Sequence, residues 1–288
     1  MAEPTTIGAR LRDNLPALLI LAALALTPPI AEAIGDPFIV KVATRVVIFA
    51  IAASALNFVV GYGGLVSLCH AGFFGIGGYV VGILAWHDFN AEPLWLISGT
   101  SDLAIALPVA ALVAALISAA VGAISLRTSG PYFLMITLAF NQMFYYGAIA
   151  LQKYGGDDGL QIMSTITLGP LDVSNRYRFF YLALAFLALT LLLIGRFVES
   201  RFGMVLRAAS KNETRVIAVG VDPWLYRLAA FVVSAVLTAV AGALLAAGQQ
   251  FISPADMGWD RSGDLVVMAV LGGVGAVWGP AIGAAAFV

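Results

Sequence analysis

A chain of 288 residues that is 61% hydrophobic and 11% charged, with a mean hydropathy of +0.97, has more apolar surface than a soluble core of this length can hide; soluble domains are roughly 45–50% apolar and about 25% charged. Lipid must therefore solvate much of it. A net charge of −1 excludes a strongly basic nucleic-acid binder, and the single cysteine, Cys69, excludes an intrachain disulfide.

Only helices and closed barrels satisfy their backbone in lipid. Barrel strands read as alternating segments of about ten residues, whereas the apolar runs here, such as 103–125 and 177–198, are roughly twice that and do not alternate. They fit helices crossing a core of about 30 Å. The expected fold is all-α: a polytopic transmembrane bundle of about eight to nine spans, one domain over residues 1–288, with one or more broken or glycine-rich helices.

In chain order the full spans are 15–34, 38–60, 65–86, 103–125, 132–151, 177–198 and 227–249. The first is read as a retained helix kinked at Pro28-Pro29, although Arg10, Arg12 and the triplet Ala31-Glu32-Ala33 also make a passable signal-peptide pattern. In the second, Lys41 and Arg45 lie four residues apart, on one helix face. Snorkelling to the outer interface accounts for them; attraction of an anion is the sharper alternative. A last apolar region, 265–288, is interrupted at Gly272-Gly273 and Gly279-Pro280 and ends without a polar flank, which suggests truncation.

Arginine and lysine placement gives the orientation. With the N-terminus inside, nine basic residues fall on the cytoplasmic side (Arg10, Arg12, Arg127, Arg196, Arg201, Arg207, Lys211, Arg215, Arg227) and four outside (Lys153, Arg176, Arg178, Arg261).

Residues 61–82 hold eight glycines in twenty-two positions. Gly78 and Gly82 form a GxxxG pair suited to close helix packing; Gly61, Gly63 and Gly64 could instead open the backbone into a broken helix lining a cavity, beside the polar Ser67 and His70. Asn141 and Gln142 interrupt the fifth span, either bonding between helices or contacting a solute. These four polar residues are the candidate pathway residues. No histidine, cysteine or acid stands at ligand spacing to His70, so no metal is expected, nor any cofactor. The outer-loop run Gly155-Gly156-Asp157-Asp158-Gly159 reads as a turn or a docking point rather than a calcium loop.

The longest cytoplasmic loop, 199–226, alternates basic and apolar residues. Residues 206–219 read as one short amphipathic helix, stopped at Gly220 with Pro223 beyond. Such a helix lies on anionic lipid or docks into a cytoplasmic partner, and the partner is preferred. None of the three lysines, Lys41, Lys153 and Lys211, stands in a Walker A context. Any ATP must be hydrolysed by another chain. There is no Ser-His-Asp set, zinc pattern or paired mid-membrane carboxylate, so an enzyme is not expected.

The stretches GYGGLVSLCHAGFFGIGGYV, SGPYFLMITLAF, GGDDGL, RAASKNETRVIAVGVDPWLYRLAAFVVSA and VLGGVGAVWGPAIGA occur in that order and together resemble the LivM-type permease of branched-chain amino-acid ABC importers. The resemblance implies a LivH-type second permease, two cytoplasmic ATP-binding subunits and a periplasmic solute-binding protein, in a bacterial inner membrane. It also implies that residues 207–220 are the coupling helix engaging an ATPase, with Arg207, Ala208, Asn212, Glu213, Ala218 and Gly220 at the matching positions. Cys69 and Arg215-Val216 depart from the small residues usual there. Related permeases carry urea, short amides or aromatic acids; a self-sufficient channel or secondary transporter is the reading from another class.

Overall fold

The computed structural model describes residues 15–93, 99–164, 167–169, 171–172 and 175–288. Arg10 and Arg12 lie outside them. The first apolar segment forms two helices, α1 (Leu15–Ala25) and α2 (Thr27–Ile34). Pro28 and Pro29 stand in the first turn of α2, where no amide donor is missed. Gly35, at φ +76°, closes α2, and Asp36 opens α3 (Pro37–Asn57) by accepting from the Phe38 N–H at 2.9 Å.

From Val46 to Asn57 every residue of α3 is buried, which makes it the axis of the bundle. A helix surrounded on all sides needs small residues where neighbours cross, and Ala50, Ala52, Ala53 and Ala55 supply them. The helix continues through a π-turn, Phe58–Tyr62. The chain then leaves helical geometry until α4 (His70–Phe89). The expected third span, 65–86, is thus an irregular segment followed by a helix, because Gly63 and Gly64 (φ +66°) end the preceding helix.

Helices α5 (Leu103–Ser125), α6 (Pro131–Ala150), α7 (Arg176–Glu199) and α10 (Pro223–Gln249) follow, with α8 (Arg201–Lys211) and α9 (Glu213–Ala218) between the last two. Among the described residues, α3 with its π-turn, α5, α6, α7 and α10 are long and apolar enough to cross a membrane. The chain ends in a helical hairpin, α11 (Trp259–Gly272) and α12 (Gly279–Phe287), rather than one span from residue 265. The interruption falls at residues 273–278, bounded by the Gly272-Gly273 and Gly279-Pro280 steps that signalled it.

Glycine packing is close, and only partly through the expected pair. A methyl on Gly77 of α4 would collide with the Ala239 carbonyl of α10, and one on Gly242 of α10 with the Phe74 carbonyl. These two glycines make the closest approach of the α4–α10 crossing. Gly78 shares in it, since a methyl there would lie 3.3 Å from the Gly242 carbonyl oxygen, and with Gly82 it makes room for Ile252 and Leu160. Those two residues face each other in a short antiparallel pairing of β1 (Leu160–Gln161) with β4 (Phe251–Ile252), while β2 (Thr167–Leu168) pairs antiparallel with β3 (Leu171–Asp172).

Loop contacts sort the molecule into two ends. At one, the β1–β4 pairing and the Lys153–Glu92 ion pair (2.9 Å) join the loops before α5, before α7 and after α10. Here Gly155, Gly156 and Gly159 adopt positive φ in successive 3₁₀ turns, so the expected turn is present. At the other end, the irregular segment meets α8 and the loop before α6. The loop carrying Lys153 and the segment carrying Arg207 and Lys211 thus lie at different ends, the grouping that the basic residues gave.

Candidate coupling segment and broken helix

The segment expected as one helix over 206–219 is two. Asn212 leaves helical geometry (φ −158°, ψ 98°), and its Oδ1 accepts from the Arg215 N–H at 3.0 Å, so it caps α9. Gly220 does stop the segment: at φ +86° its N–H donates to the Ile217 carbonyl, and the Val221 N–H reaches Val216. Asp222 then caps α10, with Pro223 in its first turn.

Gly203, Leu206 and Ala209, three residues apart, form the inward face of α8. Outward lie Met204, Arg207, Ala208 and Lys211, followed on α9 and its turn by Ile217, Ala218 and Val219. Val219 is 79% exposed and Ile217 56%, the exposed apolar surface expected of a docking helix. Two charged residues of the segment are already engaged. Arg207 donates to the Val198 carbonyl at 3.2 Å, binding the α7–α8 elbow where helix carbonyls are free. Glu213 accepts from Arg227 Nη1 at 2.8 Å, and Nη2 of the same guanidinium donates to the Ala209 carbonyl at 3.2 Å. Arg227 thus staples both short helices to α10.

The inward face touches the break directly. A methyl on Gly63 would meet Leu206 Cδ1 at 3.7 Å, and one on Gly64 would meet Ser210 Cβ at 3.1 Å. Leu206 is fully buried among Phe58, Tyr62, Leu65 and Phe133.

The irregular segment is held by side chains from other helices. The first backbone N–H groups of a helix have no partner within it, and in lipid each unmet group costs several kcal/mol. Ser262 of α11 accepts from the Ala71 N–H at 3.1 Å and donates to the Leu68 carbonyl at 2.7 Å. Asn141 of α6 accepts from the Gly72 N–H at 2.7 Å and donates to the Met257 carbonyl at 2.9 Å. Thr137 accepts from the Leu68 N–H and Ser67 from the Cys69 N–H, each at 3.3 Å. The N-terminus of α4 is therefore capped from α6 and α11.

His70 joins three helices. Its Nε2 lies 2.8 Å from Ser234 Oγ, and Ser234 gives its one proton to the Ala55 carbonyl. Nε2 must then carry the ring proton and donate, which leaves Nδ1 an acceptor with no partner among the described residues. Phe73 and Phe231 meet the ring edge-on. Of the four candidate pathway residues, Ser67, His70 and Asn141 are fully buried, and hydrogen bonds hold them at the break. Gln142 is half-buried and makes no side-chain hydrogen bond among the described residues. Three residues of this network, Thr137, Ser234 and Ser262, are missed by the sequence reading. Each is a short polar residue on or beside an apolar run, the one signal available.

Beside Ser262, Arg261 bonds Asp256 at 3.3 Å and approaches Asp264 at 3.6 Å. Burial pushes the Asp256 carboxyl above its ordinary range, and Arg261, with a smaller contribution from Arg45, opposes the shift.

The family described as branched-chain amino acid transport system, permease component, matches residues 38–288. Two curated relatives, from Salmonella typhimurium and Escherichia coli, are each a high-affinity branched-chain amino acid transport system permease protein LivM. Each is 28% identical over 94% of this chain, and the chain spans 66% of the relatives' length. No solved structure matches. The family match takes in α3, the helix break, the short helices α8 and α9 and the terminal hairpin together, so this multi-pass membrane protein belongs to the permease components of branched-chain amino acid transport systems.

Proposed function

We infer that the chain is the permease subunit of an ABC importer for branched-chain or related amino acids, acting as one domain over residues 1–288. It resides in the bacterial inner membrane with its N-terminus and α8–α9 in the cytoplasm. A LivH-type permease stands beside it, two ATP-binding subunits engage residues 199–226, and a periplasmic binding protein delivers solute at the other end. One observation carries this reading: the inward face of α8 rests on Gly63 and Gly64, the hinge-like start of the broken segment, while its outward face is free for a partner. A push on α9 passes to α8 and through Leu206 and Ser210 to the broken segment. Arg207, Glu213 and Asn212 keep the two short helices rigid enough to transmit it, and Ala208, Ala218 and Gly220 leave room for the partner's surface.

The test is uptake of radiolabelled leucine by cells carrying the complete importer with Ile217→Asp and Val219→Asp in this subunit. Both side chains point outward, so the protein should remain in the membrane in normal amount while uptake and stimulated ATP hydrolysis fall at least tenfold. Normal uptake by this double variant would remove the coupling role. Leucine uptake by the chain alone in liposomes without ATP would instead establish a self-sufficient transporter.

A further inference from the structure

The end of the bundle that carries β1 and β4 contains a cavity of about 330 Å³ between α3, α7 and the last turn of α10. That volume suits a small molecule. Its cations are Lys41 and Arg45 of α3 and Arg176 of α7. Lys41 and Arg45 are one helical turn apart, and Arg45 is about 12 Å along the helix from its start. Neither forms an ion pair among the described residues, and no acid lines the cavity. Asp256, which feels the charge of Arg45, is already bonded to Arg261. The Lys41 and Arg45 side chains are both exposed, so an anion that enters the cavity can reach them.

The remaining walls narrow the choice of anion. Gln249 and Gln250 bring amide oxygens able to accept from an ammonium group. Gln250, at φ 54°, is the left-handed cap that ends α10. Phe179 and Leu245 add an apolar surface. Cations, amide acceptors and an apolar wall around this volume complement a zwitterion with an aliphatic side chain.

We propose that this cavity is an entry site in the permease itself, in which Lys41, Arg45 and Arg176 bind the carboxylate of a free aliphatic amino acid. The proposal rests on the importer reading and adds to it a recognition step outside the solute-binding protein. The same cations would accept the phosphate of an anionic lipid, so the experiment has to separate the two sources.

Binding of radiolabelled leucine is measured on the full-length protein in phosphatidylcholine nanodiscs, with leucinamide and 4-methylpentanoate as competitors. Saturable binding is expected, with competition by 4-methylpentanoate, which keeps the carboxylate, and none by leucinamide, which lacks it. Lys41→Gln with Arg45→Gln should weaken binding at least tenfold. Arg45→Lys should restore most of it in the Lys41 background, and unchanged gel-filtration profiles guard against misfolding. No saturable binding, equal competition by leucinamide, or normal binding by the double variant overturns the proposal. So does loss of leucine binding when phosphatidylglycerol is added to the discs, since a headgroup then owns the site. Leucine uptake by the complete wild-type importer is measured in parallel: uptake without binding here discards the cavity alone, whereas absent uptake discards the importer reading beneath it.

Discussion

Asn57 holds Gly275 across 218 residues of sequence: its Oδ1 accepts from the Gly275 N–H at 3.0 Å, while its Nδ2 donates to the neighbouring Ala276 carbonyl at 2.8 Å. The inner end of α3 is thereby clamped to the turn between α11 and α12. Backbones meet beside it, since a methyl on Gly61 would fall 2.5 Å from the Gly275 nitrogen. The π-turn at Phe58–Tyr62 brings Gly61 to that face. Terminal hairpin, axial helix and helix break thus form one connected unit.

Replacing Asn57 by leucine keeps the branched shape of the side chain but orphans a buried N–H and a carbonyl. At about 1–3 kcal/mol for each unsatisfied group, thermal unfolding in detergent should shift down by several degrees. Asn57→Asp keeps the acceptor but buries a carboxylate against the Ala276 carbonyl, so at neutral pH it should be destabilised at least as much as the leucine variant. An unfolding temperature unchanged in Asn57→Leu would show that the clamp carries no stability.

Gly77→Ala places a methyl against the Ala239 carbonyl, with backbone on both sides and no flexible side chain to yield. Overpacking of this kind costs about 1–3 kcal/mol. Gly147→Ala on α6 meets nothing within 4 Å and serves as the control, which should hold or raise stability. Equal melting temperatures for the two variants would contradict the close α4–α10 crossing.

How far the sequence disclosed this arrangement depends on the distance over which each signal acts. The stop at Gly220 is legible because its cause is local and acts within one turn; the caps at Asp36 and Asp222 act as locally, yet the sequence reading starts those spans at 38 and 227. Composition likewise announced a bundle without any contact being known. The break was foreseeable at Gly63 and Gly64, but its caps were not. Asn141 was noticed as a polar interruption, yet nothing local says that it reaches Gly72 of another helix and Met257 of a loop. Ser234 and Ser262 were passed over because a serine in an apolar helix can return its proton to its own backbone. The division at Asn212 was missed for a different reason. Amphipathic periodicity runs through the residue, whereas its side chain starts a new helix. Gly78 and Gly82 satisfy a packing pattern, but the closest approach is at Gly77, a choice set by the rotation of α4 against α10.

Glu213 and Arg227 lend themselves to a double-mutant cycle. Their pair is partly exposed, with side chains 47% and 15% accessible, so the coupling energy should be about 0.5–1 kcal/mol. The single variants should be unequal. Glu213→Ala removes that pair alone, whereas Arg227→Ala also frees the Ala209 carbonyl. Arg227→Ala should therefore lower the melting temperature more, and the opposite ranking would show that the guanidinium is not the staple between α8 and α10.

Gly64 offers the most direct test of whether motion of α8 reaches the break. At φ +66° any side chain incurs about 1–2 kcal/mol of backbone strain, and a methyl meets Ser210 Cβ at 3.1 Å. Gly64→Ala should thus both strain the segment and press on α8, reducing leucine uptake by the complete importer several-fold while the protein still reaches the membrane. The two effects separate with a second change. Ser210→Gly removes the atom that is struck but leaves φ at Gly64 as it was. If contact between break and α8 transmits the coupling, Gly64→Ala with Ser210→Gly should recover part of the lost uptake, more than the two single effects summed would allow. Purely additive losses would mean that Gly64 matters through its backbone alone and that α8 transmits nothing at this point.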